Sequence, residues 1–405
     1  MSSKRKVHKM QSRGQIMNVI HRIIELIARK IYLFMAFLRG PAETQPPLKD
    51  LTLLHSATTL AFKIRNKQLT SEQVLQSYID RITEIQPVLN CVVEDRFEEA
   101  LKEAKKCDEF LKSLDPSSLQ VLATEKPFFG VPFTTKDCIA IANMKQTAGL
   151  VVRKNTLAEC DADVIKLMRA AGGIPLATTN VSELAMWWET SNYIYGTTKN
   201  PYNTRHIVGG SSGGEGCIQG AAGSPFGIGS DIGGSIRMPS FFNGIFGHKP
   251  SKGIVSNNGQ YPSAQSEDQD RLLAIGPMCR YAQDLQPMLK VLAHKNIDML
   301  RLDEKVDMSK IKDILGEDGV FLYPTHPTAA PLHHEPLIKP FNFSYTGIIN
   351  VLGLPATACP LGLNKEGLPI GIQVVGGLYQ DHLTLAVAEE LERAFGGWVP
   401  PPIVA

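Results

Sequence analysis

Residues 209–240 read GGSSGGEGCIQGAAGSPFGIGSDIGGSIRMPS, and seventeen of these thirty-two residues are glycine or serine. A flexible tether can have that composition. A tether does not need Ile228, Ile232, Ile236 and Met238 threaded through it, nor an Asp at 231 and an Arg at 237. The mixture suits a buried backbone that turns sharply, where glycine permits positive φ and close approach by other groups. The DIGGS run, residues 231–235, sets consecutive backbone N–H groups before a serine. Such a row can stabilise a developing negative charge. Asp231 and Arg237 read as an ion pair bracing the loop rather than as reacting groups.

Around this stretch the chain alternates. FGVPFTTKDCIAI and GGIPLATTNV are short and rich in strand formers, with the helical pattern DADVIKLMRAAG between them. That β–α–β order predicts an α/β fold. Further on, GVFLYPTHPTAAP, GLPATACPLGL and LPIGIQVVGG are strand-like, and DHLTLAVAEELERAF is a last helix. Before the alternation, residues 48–87 carry apolar residues at helical spacing, and LTSEQV resembles a capped helix start. A charged surface helix, DRFEEALKEAKKCDEFLKSL, follows. There is no internal repeat. Apolar residues make up 43% and charged residues 20% of the 405, ordinary globular usage with length for a large core. A net charge of +2 gives no pointer to a nucleic-acid partner. Seven cysteines with no C-x-x-C pair fit reduced thiols better than a disulfide framework or a zinc site.

The N-terminus divides into a basic tail, residues 1–15, and the segment IMNVIHRIIELIARKIYLFMAFLRG, residues 16–40. Ile20, Ile23, Ile24, Ile27, Ile31, Phe34, Met35 and Leu38 fall on one helical stripe, with Arg22, Glu25 and Arg29 opposite. As a transmembrane span it is marginal. Arg29 and Lys30 at its centre cost roughly 2.5–3.5 kcal/mol each, and about eleven apolar residues return roughly 0.3–0.6 kcal/mol each. The pattern predicts an amphipathic helix lying in a membrane interface. Packing on the chain's own domain and insertion as a signal anchor are the alternatives. PAETQPP, residues 41–47, reads as a linker into one domain over residues 41–405.

GGSSG, residues 209–213, also matches the G-x-S-x-G nucleophile elbow, which would make Ser211 the nucleophile with a histidine base. The turn-rich NPYNTRHIV before it is a poor strand, and neither His248 nor His326 is assigned as base by the sequence. H-E-x-x-H, P-loop and dinucleotide patterns are absent, and no cofactor or metal is expected.

The order GGSSGGEG, then GIGSDIGGSIRMP, with FFGVPFTTKDCIAI upstream, resembles the amidase signature family. ATTNVSELAMWWETSNYIYGTTKNPYN, NGIFGHKPSKGIVS, GPMCRYAQDL and GLPIGIQVVGGLYQDHLTLAVAEELE extend the likeness over nearly all of residues 48–405. The details are similar to that family's membrane-associated type-2 fatty-acid amide hydrolase branch. The resemblance implies a mixed central β-sheet flanked by helices on both faces, with the N-terminal amphipathic helix as an addition. It implies a Ser–Ser–Lys triad, with Ser235 the nucleophile, Ser211 the bridge and Lys136 the base. It places the oxyanion hole on the backbone of Ile232, Gly233, Gly234 and Ser235, and substrate contacts at Met186 and Ser212. The implied substrate is a small-molecule amide or lipid, most readily a fatty-acid amide. The implied setting is an intracellular membrane surface contacted through residues 16–40, with a homodimer as a possible assembly and no nucleic-acid partner.

The residues make chemical sense of this. A serine hydroxyl is a weak nucleophile and needs a base. Lysine serves only when neutral, so its pKa of about 10.4 must fall towards roughly 7–8, a shift of about 4 kcal/mol that burial can supply. Lys136 lies in an apolar strand, and strand alternation turns Asp137 to the other face. One departure stands out. Only about thirty residues join GPMCRYAQDL to DGVFLYPTHP, so the domain is shortened near 300–315. The resemblance implies that the missing segment supplies helices, part of the acyl channel and a membrane-facing cap. An amidotransferase-type or general small-amide amidase, and an inactive shortened membrane-associated form, therefore stay open as alternatives.

Overall fold

Threonine 70 shows how directly the sequence drives the local structure. Its Oγ1 accepts from Gln73 N at 3.0 Å and its own N–H donates to the Gln73 side chain at 3.0 Å, a capping box that starts the helix Ser71–Leu89. The long apolar pattern before residue 87 is thus split, with a first helix Ala57–Arg65 capped by Ser56. The computed structural model describes residues 23, 26–35, 37, 38, 40–302 and 319–401. The basic tail, Ile20, Arg22, Ile24 and Glu25, and nearly all of the shortened region near 300–315 lie outside the described residues.

Eleven strands are described: β1 Val92–Asp95, β2 Pro132–Lys136, β3 Ile174–Thr179, β4 Ser191–Asn192, β5 Gly196–Thr197, β6 Phe226–Asp231, β7 Phe246–Lys249, β8 Ala274–Cys279, β9 Phe321–Tyr323, β10 Ala356–Leu363 and β11 Pro369–Val375. Nine form one sheet in the order β1-β3-β2-β6-β8-β7-β10-β11-β9, while β4 and β5 make a small hairpin. The sheet is mixed, as expected. β2 is parallel to both β3 and β6, and the other pairs are antiparallel. The helix Asp163–Ala170 makes the crossover from β2 to β3 that the β–α–β order implied.

Side-chain alternation shows helices on both faces. Gln373 and Ala358 are cross-strand partners on one face, and Gln373 accepts from Arg237 at the start of the helix Arg237–Phe242. Thr357, one residue along, points to the other face and donates to Thr384 on the helix Asp381–Phe395. All seven cysteines are free.

The glycine-rich stretch is the centre of this fold. It forms the helix Gly213–Gly220, then β6, then the helix Arg237–Phe242. Every residue from 207 to 250 is buried except Ile232 and Gly233. The elements can pack this closely only without side chains. A Cβ on Gly227 would stand 1.8 Å from the Glu215 carboxylate.

The described residues between 23 and 38 are helical. The stripe residues Ile23, Ile27, Ile31, Phe34 and Leu38 are each half or more exposed and Met35 is exposed too, as are Leu26 and Phe37 beside the stripe, so the described part of it does not pack on the chain's own domain. Among the described residues, no helix is long and apolar enough to cross a membrane. A second apolar face lies on the helix Ser344–Leu352, where Ile348, Val351 and Leu352 are exposed, with Leu337 and Phe341 exposed just before it.

Candidate active site

Lys136 ends β2, between two parallel neighbours, and is fully buried. Its Nζ lies 2.9 Å from Ser211 Oγ and 3.0 Å from Ser230 Oγ, and donates more weakly to Ser230 O at 3.4 Å. No carboxylate among the described residues lies within ion-pair distance. Burial lowers its pKa, against smaller opposing pulls from Cys138, Asp231 and Glu215. Asp137 does turn away, accepting from Thr147 Oγ1 at 2.7 Å and Thr147 N at 3.2 Å. Burial thereby favours the neutral form of an amine that sits next to a hydroxyl.

Ser211 follows a cis peptide bond from Gly210 and leads into the helix Gly213–Gly220. Ser235 stands at the far end of the stretch, on the turn between β6 and the helix Arg237–Phe242, with 7% of its surface exposed. Asp231 organises that turn. Its carboxylate accepts from Gly234 N at 2.7 Å, Ile236 N at 3.1 Å, Arg237 Nε at 3.0 Å and Arg237 Nη2 at 3.0 Å. Burial alone would raise the Asp231 pKa. The charge and hydrogen bonds of Arg237, helped by Lys249 and Asn350, outweigh it and hold the carboxyl well below its usual range. The Asp–Arg pair is thus a brace, as the sequence indicated. Gly234 has φ +121°, and a Cβ there would meet Thr346 Oγ1 at 2.0 Å, so only glycine fits.

Two placements differ from expectation. Ser212 was expected to contact substrate, but it is fully buried and lines neither cavity at Ser235. Its N–H donates to Ser235 O at 3.2 Å and its hydroxyl to Ser230 O at 3.2 Å, so it ties the two ends of the stretch together. Gly234 was expected among the oxyanion donors, but its N–H is committed to Asp231. The N–H groups of Ile232, Gly233 and Ser235 have no partner among the described residues.

Two cavities meet at Ser235. One, of about 230 Å³, is walled by Met186, Trp187, Trp188, Met238 and Phe343. The other, of about 240 Å³, contains Ser211, Ser230, Gln260, Ser263 and Gln269. Ile232, Ala185 and Met186 border both. Each is below the ~300–1,000 Å³ usual for a drug-sized ligand, and a ligand spanning both through Ser235 has room within that range.

The nucleophile-elbow alternative finds no base. His248 is engaged by Asp381 at 3.0 Å and Thr357 at 2.9 Å, and His326 packs among aromatic rings. Among the described residues no histidine is seen hydrogen-bonded to Ser211 or Ser235, and no strand leads directly into Ser211, the residues from 198 to 210 being turn and loop.

Three residues at the site carry little or no mark in the sequence. Glu215 is a fully buried carboxylate, accepting from Thr179 Oγ1 at 2.8 Å, Thr134 Oγ1 at 3.0 Å and Gln219 Nε2 at 3.0 Å. Burial pushes its pKa up to about 7. A lone Glu inside a glycine run was its only signal. Thr346 and Asn350, on the helix Ser344–Leu352, bond Gly233 O at 2.6 Å and Asp231 O at 3.1 Å. Nothing local in the sequence marks them.

The Amidase family matches this chain over residues 73–310 and 297–385, two stretches that overlap at 297–310. The chain is 40% identical over 503 aligned residues to fatty-acid amide hydrolase 2 of Homo sapiens, covering 90% of this chain and 94% of that one. It is 40% identical over 490 aligned residues to fatty-acid amide hydrolase 2-B of Danio rerio, covering 89% and 93%. Both alignments run longer than the chain's 405 residues, so both relatives carry residues with no counterpart here. A glutamyl-tRNA(Gln) amidotransferase subunit of Nitrosococcus oceani is 36% identical over 60% of this chain and 46% of its own. Among solved structures, a fatty acid amide hydrolase superposes with a TM-score of 0.73 at 20% identity, covering 87% of this chain and 86% of that one. The corresponding amidotransferase subunit from Thermotoga maritima gives 0.69 at 19%, covering 89% and 100%.

Proposed function

The chain belongs to the amidase family of amide-hydrolysing enzymes, and from that premise we propose that it cleaves carboxamides of apolar acyl groups through an acyl-enzyme at Ser235. The observation that carries this is Lys136, a fully buried amine with no ion-pair partner among the described residues, 2.9 Å from Ser211, which lines the cavity that also holds Ser235. Neutral Lys136 takes a proton from Ser211 as Ser211 takes one from Ser235, and Ser235 Oγ attacks the amide carbon. The oxyanion forms beside the N–H groups of Ile232, Gly233 and Ser235. The same relay returns the proton to the departing amine, and water then hydrolyses the acyl-enzyme. The apolar cavity takes the acyl chain and the cavity with Gln260 and Gln269 takes the amine side. The fatty-acid amides named for the two relatives fit that division. The amidotransferase-type alternative draws on matches over a smaller part of the chain.

A fluorophosphonate probe tests this reading. It should label one serine, Ser235, and the label should vanish in Ser235→Ala. Labelling at Ser211, or none at all, would overturn it. The second outcome would favour an inactive shortened form.

Residues 16–40 are proposed to seat the chain on an intracellular membrane surface. The exposed apolar side chains between 23 and 38, with Arg29 and Lys30 also exposed, support an interfacial placement. Removing residues 1–40 should release the protein from vesicles and leave turnover of a water-soluble amide largely unchanged. Co-sedimentation with anionic vesicles measures the first and a rate assay the second. Resistance of the full chain to carbonate extraction would show a span instead.

A further inference from the structure

Glu215 is a second ionisable group in the layer that holds Lys136, and no step of acylation uses it. Lys136 and Thr134 lie two residues apart on β2 and so share a face of the sheet, and Thr179 is the register partner of Lys136 on β3. The hydroxyls of Thr134 and Thr179 both donate to the Glu215 carboxylate, at 3.0 and 2.8 Å. Glu215 therefore sits over the same face as Lys136, bonded to a neighbour of that lysine on each strand. All four side chains are fully buried. The helix that carries Glu215 starts two residues after Ser211, and Gly214 N donates to Asn180 O at 3.0 Å, which pins that start to the end of β3. The carboxylate thus ties both strands to the segment that presents Ser211 to Lys136.

Buried charges act on one another with little screening. Three groups favour the charged form of Lys136: Cys138, Asp231 and Glu215. Two of them are offset near neutral pH. Burial raises the Cys138 pKa, so its thiol stays neutral. Arg237 lies 3.0 Å from Asp231 and balances its charge. Glu215 has no cation within ion-pair distance among the described residues, and its donors Thr134, Thr179 and Gln219 are all neutral.

We infer that Glu215 is a positioning residue for the Lys136 base, its buried carboxylate governing the proton held by that amine. This rests on the reading that neutral Lys136 accepts the proton of Ser211. While Glu215 is ionised it favours the ammonium form of Lys136, and once protonated it gives up that hold. Burial pushes its own pKa up to about 7, so both states are populated near neutrality. Removing its charge frees the amine at lower pH.

The test is Glu215→Gln in the full chain, which keeps the shape and leaves both threonines a hydrogen-bond partner. Lysines carry an NMR-active carbon at Cε, and the Lys136 signal is identified by its loss in Lys136→Ala. Its titration midpoint should fall by about one unit in Glu215→Gln. The rising limb of decanamide turnover should move down with it, so that on this limb the variant outpaces the parent by about tenfold. A role in packing alone predicts slower turnover and an unmoved midpoint. Thr134→Val removes one donor from an intact Glu215 and so favours its protonated form. It should move the Lys136 midpoint the same way by less, and it decides the matter if Glu215→Gln fails to fold. A midpoint unchanged or raised in the folded variants overturns the inference. Hydrolysis of decanamide by the unmodified chain tests the amidase reading separately, and its absence would sink that reading while the NMR titration still decides this one.

Discussion

Replacing Ser235 with alanine is expected to lower amide turnover by about 10⁶-fold, the size of effect that follows loss of a serine nucleophile. Replacing Lys136 with alanine should lower it by about 10²–10⁴-fold, the range for one general base and acid. The double variant should be no worse than Ser235→Ala alone, because the two residues serve one step. The geometry adds a finer expectation. An alkoxide leaves an acyl centre readily, whereas an amine must be protonated as it leaves. Lys136 and Ser211 supply that proton, so Lys136→Ala should lose more rate on an amide than on the ester of the same acyl group. Equal losses on both substrates would remove the leaving-group role. The pH profile carries the same signature. The neutral amine is the active form, so amide turnover should rise with pH through the Lys136 pKa and then level off. Burial lowers that pKa, so the rise should fall below the ordinary lysine value of 10.5. It should be missing in Lys136→Ala.

What the sequence revealed about this site depended on whether the signal was local. Lys136 was named only by the resemblance of FFGVPFTTKDCIAI, since a lysine in a strand-like run is by itself more often a surface or ion-paired one, and the structure buries it. Thr70 and Gln73 were legible because a capping box is a four-residue code. Asp231 and Arg237 were legible as a brace because they stand six residues apart in one loop. β6 was not read as a strand, since the glycines at 227 and 229 hide its alternation and have poor strand propensity. Yet Gly227 is what lets Glu215 approach. Gly234 counts as an oxyanion donor by the family resemblance of the DIGGS run. Its N–H turned instead to the Asp231 carboxylate, a choice made by the φ of +121° and not by composition. Thr346 lies 113 residues beyond Gly233, and no pattern in one sequence links them.

The largest loss of stability is expected from Arg237→Met. Arg237 and Asp231 are both fully buried, and each satisfies the other. Removing one partner of a buried pair typically costs about 3–5 kcal/mol, because the remaining charge is left uncompensated. Met is close in volume, so packing changes little and the cost falls on the orphaned carboxylate. Against a typical net stability of about 5–15 kcal/mol, that removes most of the margin only at the low end of the range, so the variant still unfolds measurably in urea. The sign of the pH response identifies the cause. In the parent protein the folded pKa of Asp231 is held below its ordinary 3.8. Its contribution is therefore fully present above about pH 4 and is lost as pH falls through the folded value. Without Arg237, burial dominates and the folded pKa rises above 3.8. The folded state then binds the proton more readily than the unfolded chain, and acidification should stabilise the variant. Urea unfolding midpoints between pH 5 and 8 should accordingly rise towards pH 5 for Arg237→Met and not for the parent. A variant whose midpoint is low but flat across that range would mean that lost packing, not an orphaned charge, accounts for the damage. The functional consequence follows from the same atoms. The Asp231 carboxylate fixes Gly234 and Ile236 on either side of Ser235, so a brace that turns to a protonated acid should loosen the nucleophile's position, and turnover per folded molecule should fall as well.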